Sequence, residues 1–463
     1  MRDRPGFKTN ILLSLLGAVV LGALTLAASP VLVKNIKFLL ALPFVAVIFF
    51  IMVLNIKTMF VLLLMTRALL DPILAQTKDG GSGSGIGGVI NLFVVLMVGL
   101  LIIRWPGVLK RNRYVLLWAV FLGVAALTGF YSPKPMGALK LLLNLATYAA
   151  FFSVPFFLVK DEKEKKFWIK TVLISSFVPV AFANLGFVTG HPLLNNPERL
   201  SGMFTHANIL AFYLVFVIML TVYVLRTHAL RLTLPLKALL WLYLIDLFAL
   251  LVVTQTRSAW FSCVVMFLIY GLLKERKMLL VLMLGAGLIL PLPTVKIRLQ
   301  DLTEGTGVKS GEKLNSWVWR VKLWKGAWPH IERRILVGHG LGSFQRLSKQ
   351  FTTKERWGTP AHNVYVELIF ETGIFGVLAY LSIFLALLGT FFRRYRRTVG
   401  DLSRESALLF SYLIGYLLVC VSDNALYYLA FNWYLWFFVG VIIQGGMLHR
   451  PPVPATQTAE YGA

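Results

Sequence analysis

The chain has 463 residues, of which 58% are hydrophobic and only 14% are charged, and its formal net charge is +26. So apolar a composition excludes a soluble globular domain and is typical of a protein that crosses a membrane many times. The positive charge does not indicate nucleic-acid binding, because the basic residues lie in clusters that separate apolar runs.

Apolar runs of about 16 to 25 residues recur along the chain. Each is long enough to cross a hydrocarbon core of roughly 30 Å, and each is predicted to be helical because lipid offers backbone amides no other partner. The prediction is an all-α polytopic membrane protein with about 12 to 14 spans. The runs lie near 11–28, 36–54, 59–74, 86–103, 114–130, 138–159, 167–188, 207–225, 237–254, 259–273, 278–292, 364–392, 406–421 and 431–447.

The basic clusters predict which ends of these helices face the cytoplasm. They follow every second run, as in the cytoplasmic loops of membrane proteins, so both termini are expected inside. The same alternation places four segments outside: 131–137, 189–208, 254–258 and 293–362. The predicted organisation is transmembrane helices over 1–292, an extracytoplasmic loop over 293–362, further transmembrane helices over 363–450 and a disordered tail over 451–463.

The long loop contains a tryptophan pattern with helical spacing. Trp317, Val321, Trp324 and Trp328 recur on one helical face, with basic residues on the flanks. This pattern predicts an amphipathic helix that lies on the outer leaflet with its indoles at headgroup depth. Arg320 is one turn from Trp317 and Trp324, and we expect it to point toward lipid phosphates.

Two further arginines lie at predicted external helix starts. Arg257, in the segment TQTRSAW at 254–260, combines a guanidinium fork with the free amides of the next helix, which together suit a phosphate. A snorkelling interfacial arginine would give the same pattern. Arg199, His206 and Asn208, in ERLSGMFTHAN at 198–208, are candidate substrate contacts, and a capped helix start explains them equally well.

His362 is the candidate general base. It lies where the polar loop meets the next apolar run, and a neutral imidazole there can accept a proton from a sugar hydroxyl. Asn363 and Glu367 follow as candidate substrate contacts, although Asn363 could simply cap the helix. Gly340 and Gly342, in GHGLGSF at 338–344, are candidate positions for close backbone approach to a ligand.

The sequence contains no Asp-x-Asp pair, no His/Cys cluster with metal spacing and no phosphate-binding glycine loop of the Walker type. We therefore expect no metal and no cofactor. External arginines would instead neutralise the charge of an anionic, lipid-linked substrate.

The chain resembles the O-antigen ligase/polymerase family of bacterial integral membrane glycosyltransferases. The resemblance lies in SGMFTHAN at 201–208, TRSAW at 256–260, Arg320 with Trp324, GHGLGSF at 338–344, and the stretches HNVYVE at 362–367 and ETGIFG at 371–376. It implies a GT-C-like fold in the bacterial inner membrane, with an active site that faces the periplasm or exterior. It also implies transfer of a glycan from undecaprenyl pyrophosphate, with Arg257 and Arg320 on the pyrophosphate and His362 as the base of an inverting, metal-independent displacement.

Several readings of the function remain open at this point. In a ligase the acceptor is a sugar hydroxyl of lipid A–core, and in a polymerase it is the growing repeat-unit chain; the ligase is favoured. A transporter of a bicarbonate-like anion would instead need ionisable groups near the middle of the membrane, where this chain has few, Asp246 and Asp423 among them. A non-enzymatic scaffold would tolerate loss of the external arginines and histidine. The expected partners are the lipid-linked glycan, its acceptor and membrane lipids, and no nucleic acid.

Overall fold

The computed structural model describes residues 55–71, 85–109, 112–190, 199–293, 295–296 and 316–448. The predicted spans at 11–28 and 36–54 and the predicted tail at 451–463 lie outside the described residues. Within the described ranges the regular elements are all helices, which confirms the predicted all-α class.

The helices are numbered here in chain order. They are α1 (Ile56–Thr66), α2 (Gly85–Arg104), α3 (Pro106–Leu109), α4 (Arg113–Phe130), α5 (Pro135–Ser153), α6 (Pro155–Leu158), α7 (Glu162–Ser175), α8 (Phe177–Thr189), α9 (Ala207–Arg226), α10 (Leu234–Val253), α11 (Arg257–Leu273), α12 (Lys277–Ile289), α13 (Ser316–Arg333), α14 (Phe344–Leu347), α15 (Val364–Arg397), α16 (Gly400–Val419) and α17 (Leu429–Leu448). Three 3-10 turns complete the set: Ser348–Gln350, Lys354–Arg356 and Ala425–Tyr427.

In the described part of the chain, nine helical segments are long and apolar enough to cross a membrane. Three further apolar helices, α1, α11 and α12, are shorter. The chain is therefore a multi-pass membrane protein. The helices α9 and α17 are buried along most of their length, whereas α4 and α10 present large apolar side chains outward, as expected of helices that face lipid.

Aromatic packing holds the centre of the bundle together. Trp436 of α17 makes an edge contact with Trp118 of α4 at a centroid distance of 4.8 Å, and Phe384 of α15 packs on the same indole at 5.5 Å. Trp433 stacks on Phe151 of α5 at 4.3 Å. Lipid tails are as apolar as these side chains, so close packing of this kind, and not hydrophobic transfer, has to stabilise the contacts between helices.

One end of the bundle, here called the basic end, collects the clusters that were predicted to be cytoplasmic. Glu405 is buried there and accepts hydrogen bonds from Lys165 (3.1 Å), Arg394 (2.6 Å) and the Tyr223 hydroxyl (2.8 Å). Nearby, Glu275 pairs with Arg226 and Arg404. The residues of several helices thus converge on two carboxylates, which offset the charge that the clusters bring together.

The opposite end, here called the loop end, joins the segments that were predicted to be external. The Ser132 hydroxyl, between α4 and α5, donates to the Leu341 carbonyl at 2.7 Å. Asn208, at the start of α9, donates to Asp423, between α16 and α17, at 2.6 Å. The Val364 amide of α15 donates to the Cys420 carbonyl at 2.8 Å. The loop therefore packs onto the ends of the spanning helices instead of standing away from them.

A break in α15 explains the glycine-rich loop segment. Gly373 has a φ of +67°, and a Cβ there would lie 2.1 Å from the Leu336 carbonyl oxygen, so only glycine fits. The break frees main-chain groups that the loop then pairs. The Ile374 amide donates to the Ile335 carbonyl at 2.8 Å, and the Gly340 amide donates to the Glu371 carbonyl at 2.9 Å.

The loop helix α13 lies where the tryptophan spacing placed it, but its packing face differs from the expectation. The buried row is Leu323, Ala327 and Ile331, which packs against a small core that includes Phe344 and Phe370. Trp317 and Trp328 are exposed at the two ends of the helix. The expectation for Arg320 is wrong, because its side chain points into the protein and not toward lipid phosphates: the guanidinium donates to the Ser422 carbonyl at 2.5 Å.

Candidate active site

The site is built where α9, α11 and α15 begin and where the chain passes from α16 to α17, with α13 packed against α15. His362 immediately precedes α15 and has a left-handed backbone, with a φ of +49°. Asn363 follows as the helix cap, and its side-chain oxygen accepts from the Tyr365 and Val366 amides at 2.9 and 3.1 Å. Positive φ is unfavourable for a residue with a side chain, so the surrounding contacts must hold His362 in this orientation.

The His362 ring is largely buried and lies near positively charged groups. Its Nδ1 is buried and has no hydrogen-bond partner among the described residues, and the Trp319 indole packs edge-on at 5.4 Å. Burial, followed by the Arg320 guanidinium, lowers the pKa of His362 to about 4, while Asp423 acts in the opposite direction. The imidazole is therefore neutral at pH 7 and available as a proton acceptor.

Among the charged groups around His362, Arg320 has the largest effect on its pKa. Its guanidinium donates to the Ser422 carbonyl, while its Nε is buried without a partner among the described residues. Burial lowers the pKa of Arg320, and Asp423 opposes that change. A guanidinium with a buried, unused donor is suited to an anionic ligand that supplies the missing acceptor.

Asp423 connects the two sides of the site. Its carboxylate accepts hydrogen bonds from the Asn208 amide at 2.6 Å, from the Asn424 main-chain amide at 2.8 Å and from the Tyr428 hydroxyl. The sequence had suggested Asp423 as a mid-membrane ionisable residue. The structure instead places it in the connection between α16 and α17, at the loop end, where it faces the site.

Arg199 binds the start of α11 to the start of α9. Its Nε donates to the Thr254 carbonyl at 3.0 Å, and its Nη2 donates to Asn208 Oδ1 at 3.1 Å and to Thr256 Oγ1 at 2.5 Å. Arg257 is the residue after Thr256 and the first of α11, so the structure places it at the end of the bundle that also carries His362. Asn208 accepts from Arg199 and donates to Asp423, so hydrogen bonds connect Arg199 with Asp423.

Glu367 supports His362 from beneath. Its Oε2 accepts from the Ala361 main-chain amide at 2.9 Å and from the Asn424 side-chain amide at 2.6 Å. Ala361 is adjacent to His362, and Asn424 is adjacent to Asp423. One buried carboxylate thereby links the residue next to the histidine with the residue next to the aspartate.

The structure separates the predicted site residues into two groups. His362, Arg320, Asn208, Asn363, Glu367 and Arg199 belong to the arrangement described above, and Arg257 begins α11 at the same end of the bundle. His206 caps α9 beside this arrangement: its Nδ1 accepts from the Asn208 main-chain amide at 3.1 Å, and burial followed by the charge of Arg199 lowers its pKa. Gly340 and Gly342 lie elsewhere: a Cβ on Gly340 would lie 2.6 Å from the Ser132 Cα, so this glycine is required by packing between the loop and the α4–α5 turn.

Sequence reasoning missed three contributors: Trp319, Ser422 and Tyr428. The polar group Ser422–Asp423–Asn424 between two apolar runs was a visible signal, but nothing local related it to His362. Among the described residues no group of three or more His, Cys, Asp and Glu side chains could hold a metal ion.

These features define a polytopic helical membrane protein with a cationic, histidine-bearing site at one end of its bundle. Residues 238–381 match the model of the O-antigen ligase family, which supports the resemblance to the O-antigen ligase/polymerase family that the motifs predicted. The matched region contains Arg257, Arg320 and His362 but ends before Asp423 and begins after Asn208. Family members act on lipid-linked glycans and their acceptors, with glycosyltransferase-like activity. No curated protein matches the chain.

Proposed function

We infer that the chain transfers a glycan from undecaprenyl pyrophosphate to a sugar hydroxyl, by an inverting displacement that needs no metal. The observation that carries this proposal is the neutral His362, held in a strained backbone conformation directly beside the Arg320 guanidinium. A base and an anion-binding group at one place suit a reaction in which a hydroxyl loses a proton while a diphosphate departs.

In the proposed step, His362 takes the proton of the acceptor hydroxyl on its Nε2. The hydroxyl oxygen forms a bond to the anomeric carbon of the donor glycan from the face opposite the diphosphate. The bond between that carbon and the diphosphate oxygen breaks, and the electron pair leaves with undecaprenyl pyrophosphate. Inversion follows because attack and departure occur on opposite faces of the sugar.

The charge balance of the site supports this assignment of roles. A pKa of about 4 makes His362 a weak base when the site is empty. A diphosphate bound to Arg320 would offset the positive charge that helps to lower this pKa, so basicity would rise when the donor is in place. Arg257, at the first turn of α11, would hold the diphosphate from a second helix.

Lipid A–core is the proposed acceptor, which makes the protein a ligase. If the acceptor were instead the growing repeat-unit chain, the protein would be a polymerase. We place the site on the periplasmic or outer side of the bacterial inner membrane, because the basic end has the composition of cytoplasmic loops. The size distribution of products from the purified protein separates single attachment from chain growth.

The test is glycan transfer by purified variants with a polyprenyl-pyrophosphate glycan and an acceptor. His362→Ala should lower the rate by about 10² to 10⁴, and Arg320→Gln or Arg257→Gln by about 10² to 10³. His228→Ala is the matched control, because His228 also has positive φ (+47°) but lies at the basic end beside Asp401. Transfer at the wild-type rate by the His362 variant would refute the role of the base.

A further inference from the structure

A polar cavity, separate from the arrangement around His362, opens at the loop end beside the last turn of α13. It has a volume of about 430 Å³ and lies between the α4–α5 turn and the last turn of α13. Tyr131, His330, Arg333, Arg334 and His339 contribute to its wall. None of these residues is hydrogen-bonded to the residues described around His362, and none is used in the reaction proposed above.

Specific contacts fix the wall of this cavity. The Tyr131 hydroxyl donates to the Val337 carbonyl, which ties the α4–α5 turn to the loop. His339 contacts the His330 carbonyl through its Nε2 at 2.9 Å, and its ring stacks on Phe370 of α15 at 4.6 Å. The cavity therefore has a defined shape and is not a chance gap between mobile side chains.

The cavity is cationic. Arg333 and Arg334 are exposed, and neither forms a hydrogen bond or ion pair with another described residue. The neighbouring carboxylate, Glu332, accepts a hydrogen bond from the Trp328 indole at 2.7 Å. Two adjacent guanidinium groups with open donors and two imidazoles can bind the oxygens of a phosphate or carboxylate from several sides.

The position of the cavity relates it to His362. His330 follows Arg320 by ten residues on α13, which corresponds to about 15 Å along the helix. An extended glycan whose reacting hydroxyl lies at His362 could place a more distant sugar over the cavity. The opening is wide and its volume is of the size that accommodates a sugar-sized ligand.

We propose that this cavity is an acceptor subsite that binds an acidic sugar, through the Arg333 and Arg334 guanidinium groups, at a distance from the reacting hydroxyl. The identification of the ligand as an acceptor rests on the proposed transferase function. Its chemistry is recognition of an oxyanion carried by a sugar. A lipid headgroup phosphate has the same chemistry, and the experiment separates the two sources.

The test is binding of glucose 6-phosphate to the full-length protein in phosphatidylcholine nanodiscs, measured by calorimetry. The double variant R333Q/R334Q should bind about tenfold or more weakly than wild type, because each lost charge-assisted hydrogen bond weakens binding several-fold. R396Q/R397Q is the matched control, since these two adjacent arginines are also exposed but lie at the basic end, and it should bind like wild type. Glucose should show no saturable binding.

The outcomes are distinguishable from those of the transferase test. Equal binding by wild type and R333Q/R334Q, or no saturable binding to wild type, would overturn the subsite. Loss of glucose 6-phosphate binding in phosphatidylglycerol nanodiscs would assign the cavity to lipid headgroups and also overturn it. His362→Ala should bind glucose 6-phosphate normally, so the subsite can be supported even if that variant still transfers glycan.

Discussion

Replacing Arg320 by glutamine should raise the pKa of His362. In the folded protein burial lowers that pKa to about 4, with the Arg320 charge as the second cause. At roughly 1.4 kcal/mol for each tenfold change in acid dissociation, the full depression from 6.5 corresponds to about 3 kcal/mol. Since burial is the larger cause and persists in the variant, the pKa should settle between about 4 and 6.5.

Two further variants test the direction in which neighbouring charges shift the pKa of His362. Asp423 acts against the depression, so Asp423→Asn should lower the pKa of His362 further. Arg356 contributes least among the charges around the ring and stacks over Trp319 at 4.5 Å, so Arg356→Gln should raise the pKa by less than Arg320→Gln does. The three changes therefore have a predicted order and direction.

The assay is a nuclear magnetic resonance titration of histidine-labelled protein in nanodiscs. The chain has seven histidines, and the spectrum of His362→Ala identifies the signal that belongs to position 362. The reasoning is refuted if wild-type His362 titrates near 6.5, or if Arg320→Gln leaves its pKa unchanged. The first result would mean that the ring is solvated, and the second would mean that the guanidinium does not face it.

Four substitutions and a change of pH test the folded structure. Gly340→Ala forces a side chain onto a positive φ and into a neighbouring backbone, and should destabilise the protein by about 2 to 4 kcal/mol, as measured by thermal unfolding in detergent. Gly285→Ala, in a helix with open space around it, should be neutral or slightly stabilising, and an equal loss in both variants would contradict the packing argument. Glu405→Gln leaves buried cations without a partner and should cost about 3 kcal/mol; unchanged unfolding would show that the pairs are solvated. Wild-type stability should fall as pH drops from about 6.5 to about 4, because the unfolded chain takes up a proton at His362 that the folded protein does not. His362→Gln should lack that part of the loss, up to about 3 kcal/mol, and identical pH profiles for the two proteins would exclude the linkage.

The spanning helices were largely predictable because a backbone that crosses lipid has to pair its amides and carbonyls internally, and a helix does so. The apolar run at 207–225 became Ala207–Arg226, and the run at 114–130 became Arg113–Phe130. Runs that contain a break were less well predicted. The helix at Val364–Arg397 is interrupted at Gly373, because the loop supplies the hydrogen bonds that the break releases, and hydropathy does not register such an exchange.

The direction of Arg320 shows why the site was only partly predictable. The tryptophan spacing gave the correct helix, but the same helix also carries Leu323, Ala327 and Ile331 in a row. A single sequence does not reveal which of two such faces meets the rest of the protein. Burial of the aliphatic row turned Arg320 inward, where Ser422, about one hundred positions away in the chain, accepts its hydrogen bond.

By itself, the sequence determined the class of protein, most of the spanning segments that the structure describes, and the residue types able to bind a diphosphate and accept a proton, because hydropathy and side-chain chemistry are local properties. Only the tertiary structure decided that Asp423 and Glu367 lie around His362 and that Gly340 serves packing. The physical reason is that the pKa and orientation of His362 depend on the charges and hydrogen bonds that distant helices bring to it, which no local pattern encodes.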